Sequence, residues 1–163
     1  MDYRKFYTCC FIGHRKIERT KELEKKLYCL IEGLIKLHYV DTFLFGSKSE
    51  FDDMCLEIVS KLKKKYGHIK RVYVRAEYQH ISAAYTEYLL RSYDETYFPS
   101  CAINAGRSVY VKRNLHMIDQ SHYCMFYYIK DDTAKKSGTN IAYEYSEKKN
   151  KASFNISELQ IFI

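Results

Sequence analysis

The chain has 163 residues, 47% of them apolar and 29% charged, with 27 basic against 20 acidic side chains and a formal net charge of +7. That length suits one domain over 1–163 that buries about 70% of its extended surface, and the composition excludes a disordered or collagen-like chain. No signal peptide and no apolar run of roughly 18 residues is found, so the expectation is a soluble cytoplasmic protein with no membrane partner.

The positive excess suits nucleic acid or a phosphorylated ligand. Much of it sits in "KLKKKYGHIKR" (61–71), "KK" (135–136) and "SEKKNK" (146–151). Two of these clusters fall where helices should end and where cations complement the helix dipole. No nucleic-acid motif with defined spacing occurs. Six cysteines (9, 10, 29, 55, 101 and 124) form no C-x-x-C and no zinc spacing, which points to reduced thiols and no metal site. The 17 tyrosines either line a ligand cleft with an apolar face and a hydroxyl or serve as strand residues.

Residues 5–12 form an apolar run, Phe6 to Ile12 reading as a buried strand that ends at Gly13. Leu23, Leu27, Leu30, Ile31, Leu34 and Ile35 then follow the helical spacing over 18–37. "VDTFLFG" (40–46) is a second strand ending in glycine. Phe51, Met54, Cys55, Ile58, Val59 and Leu62 mark a second helix, and "RVYVRA" (71–76) a third strand. A helix is predicted over 82–92. "SYDETYFPSCAINAG" (92–106) is the least regular stretch and reads as a loop, or a strand with a lid. A further helix over 105–120, the strong strand "YCMFYYI" (123–129), a helix over 137–150 and a last strand over 153–157 complete the chain.

Near-continuous apolar strands alternating with helices imply an α/β fold. Specifically, they imply a single Rossmann-like domain whose mostly parallel sheet has helices on both faces. Ligands of such sheets bind beyond the carboxyl ends of the strands. That rule gathers residues 13–15, 46–52 and 130–139 as candidate site segments. Gly13-His14-Arg15 is then either a solvated turn or an anion contact. Gly46 and Ser47 stand at a strand-to-helix turn, where Ser47-x-x-Glu50 and Ser49-x-x-Asp52 both read as capping boxes. Glycine and free N–H groups there would also suit an anion, while the carboxylates of Glu50, Asp52 and Asp53 suit ribose hydroxyls better than phosphate. Ser137-Gly138-Thr139 opens a helix in the same manner. Arg107, Arg113, Asn114 and Asp119 fall on one predicted helix, with Arg107 and Asn114 on a shared face. No nucleophile elbow, P-loop or G-x-G-x-x-G is present.

The stretches "CCFIGHRK", "FLFGSKSEFDDMC", "VYVKRNLHMIDQSHYCMFYY" and "SGTNIAYEYSEKK", in this order, resemble the YpsA-like branch of the SLOG superfamily, which also includes the DprA and LOG proteins. The resemblance spans about residues 7–156. It implies a Rossmann-like fold, homodimers or higher homo-oligomers, and binding of a nucleotide-derived, NAD- or ADP-ribose-like ligand by a sensor or sequestering module in signalling such as antiphage defence. By the same resemblance, contacts fall on Gly13, His14, Arg15, Gly46, Ser47, Asp52, Ser137, Gly138 and Thr139, with Arg113, Asn114 and Asp119 matching an "RN…ID" stretch. Ser47 replaces a second glycine usual in the family. Ala142 stands where LOG phosphoribohydrolases carry a catalytic glutamate, and Glu144, two residues on, would face away. The implied protein is therefore a binder with no catalytic residue assigned and no resident cofactor indicated. The alternatives are an N-glycosidic-bond hydrolase using Glu50, Asp52 or Glu144, and a DprA-like nucleic-acid binder.

Overall fold

The computed structural model describes residues 3–46, 48–130 and 137–158. Six strands form one sheet: β1 (Thr8–Gly13), β2 (Thr42–Phe45), β3 (Lys70–Val74), β4 (Glu95–Tyr97), β5 (Tyr123–Tyr127) and β6 (Ala152–Asn155). They lie in the order β4-β3-β2-β1-β5-β6, and each neighbouring pair is parallel. The helices are α1 (Lys21–His38), α2 (Glu50–Lys65), α3 (Ala83–Leu89), α4 (Val109–Asp119) and α5 (Gly138–Lys148). This is the expected Rossmann-like α/β architecture. No described helix is long and apolar enough to cross a membrane.

The two faces of the sheet follow from strand alternation. In β1 all six residues are buried. Cys9 and Phe11 join Leu27, Ile31, Phe51, Met54 and Val59 in a core under α1 and α2. Cys10 and Ile12 join Met117, Ile118 and Ala142 under α4 and α5. A strand covered on both sides favours apolar residues throughout, which is why β1 and β5 read as near-continuous apolar runs; Thr8, the buried polar residue of β1, donates its hydroxyl to a backbone carbonyl.

Capping residues set where the helices begin. Thr20 accepts from the Leu23 N–H at 3.1 Å to open α1, with Glu22 and Glu24 in its first turn and Lys36 and His38 in its last. For α2 the cap is Ser49, whose hydroxyl accepts from the Asp52 N–H at 3.0 Å. Of the capping box read at Ser49-x-x-Asp52, the hydroxyl-to-N–H half is present. Glu50 is drawn elsewhere, its carboxylate accepting from the Ile17 N–H at 2.8 Å. Ser47 lies outside the described residues.

Two expectations need correction, and one open alternative is decided. Phe6 and Tyr7 are not part of a buried strand: Tyr3–Tyr7 is a 3-10 turn in which they are 44% and 41% exposed. The Thr8 hydroxyl closes that turn onto the Arg4 carbonyl at 2.7 Å, and Phe6 packs on His122 instead of the core. Of the two alternatives read for 92–106, the strand is present: β4, held to β3 in parallel register at the sheet edge. Arg107 belongs to the 3-10 turn Gly106–Ser108 ahead of α4, so it shares no helical face with Asn114.

β4 also anchors α4, through a 2.8 Å hydrogen bond between the Tyr97 hydroxyl and His116 Nε2. Burial lowers the His116 pKa from its ordinary 6.5, against a smaller opposing pull from Asp119. His122 is lowered as well, by burial and by Lys151. In the unfolded chain both imidazoles take up protons at higher pH than in the folded one, so the unfolded state binds more protons just below pH 6.5. Stability should hold above that pH and decline as pH falls through it. Urea midpoints should be lower at pH 5.5 than at pH 7.5, and the slope should shrink in His116→Gln. Equal pH dependence in the variant would remove His116 as a source.

Candidate ligand cleft beyond β1, β2 and β3

Two adjoining cavities open at the carboxyl ends of the strands, of about 300 Å³ and about 600 Å³. Both are lined by Arg15, Lys48, Ser49 and Tyr73, so they form two lobes of one cleft with a cationic waist. The smaller lobe lies over the strand ends, between Gly13, Gly46 and Ala76, and is walled by Glu77, Tyr110 and Arg113. The larger is a groove between two helices. Glu50, Asp53 and Leu56 line it from one face of α2, while Tyr85, Tyr88 and Leu89 line it from α3. Helical spacing of three and four residues places each set on a common face. Tyr73 stacks on Tyr93 at 5.1 Å, and Tyr85 on Tyr88 at 6.1 Å, so the groove presents four phenol rings.

Gly13, Arg15, Gly46 and Arg113 thus meet in one place, as expected. The reasons differ from the expected ones. A Cβ on Gly13 would stand 2.5 Å from the Phe51 ring, and one on Gly46 would stand 2.6 Å from Met117 Sδ and 2.8 Å from Arg113 Cδ. Both glycines are required by packing under the cleft. Arg113 is only 3% exposed; its guanidinium donates to the Gly46 carbonyl and, at 3.3 Å, to that of Val74. Its Nε–H donates to Asn114 Oδ1 at 2.9 Å. Arg113 and Asn114 therefore brace the ends of β2 and β3. Burial lowers the Arg113 pKa while Asp52, the larger of the opposing charges, supports the cation.

Asp52 does not face a ribose position. It is 3% exposed, and its carboxylate accepts from the Gly46 N–H at 3.1 Å. The α2 N-terminus is similarly engaged: the Glu50 N–H donates to the Arg15 carbonyl at 2.8 Å and the Asp52 N–H to Ser49. The Gly46, Glu50 and Asp52 amides of the expected anion site are thus satisfied from within, and Arg15 and Lys48 bring positive charge to the cleft from side chains. His14 is not among the lining residues either. Its Nε2 accepts from the Ile129 N–H at 3.0 Å and its own N–H donates to the Tyr127 carbonyl, locking β1 to β5. Arg15, one residue on, is exposed and lines both lobes.

The third expected segment does not line either lobe in its described part. Ser137 caps α5 by accepting from the Asn140 N–H at 3.1 Å, Gly138 is exposed and Thr139 is buried. Residues 131–136 lie outside the described ones. Asp119 accepts from the Tyr145 hydroxyl at 2.8 Å, tying α4 to α5. Ala142 is buried and Glu144 exposed, one on each side of α5.

Sequence reasoning missed Lys48, Tyr73, Glu77, Tyr85, Tyr88, Tyr93 and Tyr110. The density of tyrosine between 73 and 97 was the available signal. Asp53 was weighed for ribose in sequence, and the groove places it where such a contact is possible. Its carboxyl is pushed above the ordinary value, first by burial and then by Glu57, with Arg19 opposing. No protein-family model matches this chain, and no curated protein matches it.

Proposed function

We propose that this chain binds a nucleotide-derived ligand carrying phosphate, ribose and a flat ring, as a sensor or sequestering module of the kind the YpsA-like SLOG resemblance implies. The observation that carries this reading is the set of groups that line one cleft. Cations Arg15 and Lys48 stand at the waist, carboxylates Glu50 and Asp53 line the groove from α2 with Leu56, and Tyr73, Tyr85, Tyr88 and Tyr93 line the same groove. A nucleotide presents phosphate, ribose diol and a flat ring to such groups. Arginine and lysine take phosphate oxygens, carboxylates accept from diol hydroxyls, and base–phenol stacking contributes about 1–3 kcal/mol per ring. Of the three carboxylates weighed for ribose in sequence, Glu50 and Asp53 take the role and the buried Asp52 does not.

A second reading is N-glycosidic hydrolysis, favoured by one observation. Asp53 stands in the groove with its carboxyl raised, which is the property of a general acid. The basic clusters at 61–71 and 146–151 supply none of the cationic lining of the cleft among the described residues, and the cluster at 135–136 lies outside them.

Thermal unfolding against ATP, NAD, ADP-ribose, cyclic ADP-ribose isomers and nucleoside monophosphates tests the proposal, with mass spectrometry of each mixture. A ligand at 100 times its Kd adds about 2.7 kcal/mol, or roughly 5–10 °C for a chain of this size. Arg15→Ala should abolish the shift, and Tyr85→Ala should weaken binding about tenfold. No shift with any ligand would sink the proposal. Product formation lost in Asp53→Asn would favour the hydrolase instead.

A further inference from the structure

The smaller lobe contains its own anion. Glu77, in the segment after β3, directs one carboxylate oxygen at Lys48 Nζ, 3.6 Å away, and the other accepts from the Tyr110 hydroxyl at 3.4 Å. All three residues line the lobe. Glu77 is the leading cause of the raised Lys48 pKa and also supports the Arg113 cation above the same space. Asp52, another carboxylate at this end of the sheet, is buried on the Gly46 amide. Glu77 is exposed and its partners are side chains, so it is free to turn away.

We infer that Glu77 is a specificity-determining residue that competes with the ligand's phosphate for Lys48. This rests on the phosphate-binding reading of the cleft. Tethered beside Lys48, the carboxylate is present at a high effective concentration that a small anion must overcome in solution. Inorganic phosphate and pyrophosphate have only the charge interaction to offer, and are rejected. A nucleotide adds ring stacking in the tyrosine groove, and that added affinity displaces Glu77. Discrimination therefore comes from a repulsive element set against the wrong ligand. Without it, a cationic waist would fill with free phosphate.

Calorimetric titration of the full chain with inorganic pyrophosphate, at constant ionic strength, decides the matter. Glu77→Gln keeps the side-chain shape and should bind pyrophosphate at least tenfold more tightly than the native chain, about 1.4 kcal/mol. Adding Lys48→Met to Glu77→Gln should erase that gain. Equal or weaker pyrophosphate binding by Glu77→Gln, including no binding by either protein, overturns the inference; so does a gain that survives the loss of Lys48. The nucleotide panel separates the two claims. Arg15-dependent nucleotide binding beside an unchanged pyrophosphate affinity sinks only the role of Glu77. Absence of nucleotide binding sinks the proposed function.

Discussion

Arg113→Met should destabilise the fold by about 3–5 kcal/mol, the cost of withdrawing one member of a buried charged network. The arginine is buried at the point where α4 crosses the ends of β2 and β3. Removing it leaves the Gly46 and Val74 carbonyls without its donors, each a loss of about 1–3 kcal/mol when water has no access. It also removes the cation that shares this interior with Asp52. Methionine fills much of the volume but donates nothing. For a chain of this length the melting temperature should fall by roughly 10 °C. Arg113→Lys should recover only part of this, because one ammonium does not reproduce the planar fork. Urea unfolding of the three proteins measures it. A loss under about 1 kcal/mol for Arg113→Met would show the bracing bonds to be incidental.

Gly13→Ala should cost about 1–3 kcal/mol, from one added methyl group. The new carbon would lie 2.5–2.8 Å from three atoms of Phe51, which is itself fully buried and packed between Phe11 and Tyr127. Phe51 has no open direction in which to retreat. The paired variant Gly13→Ala/Phe51→Leu should show strong non-additivity, the second change costing less on the alanine background than alone. Gly33→Ala is the internal comparison. It lies inside α1 with nothing within 4 Å of an added Cβ, so the same substitution there should stabilise by about 0.5–1 kcal/mol through helix propensity. Equal responses at the two glycines would refute the packing account of Gly13.

The alternation of apolar strands and amphipathic helices by itself determined the architecture. Strand alternation and helical spacing are local consequences of burial, so Phe11, Leu27, Ile58 and Phe126 announced their roles without knowledge of their neighbours. The carboxyl-end rule likewise gathered Gly13, Arg15 and Gly46, while Arg113 was singled out by its helix and by the family resemblance. It did not assign their work. Whether Asp52 faces a ligand or the Gly46 amide depends on where β2 ends relative to α2, and whether Gly46 admits a ligand or Met117 depends on α4. Those contacts join residues up to 71 positions apart. The tyrosine groove arises because α3 is set against α2, and Glu77 meets Lys48 and Tyr110 because β3 delivers it between them. No periodicity encodes such meetings. The tertiary structure decided them, since polar groups and close contacts are satisfied by whatever the folded chain brings within a few ångströms.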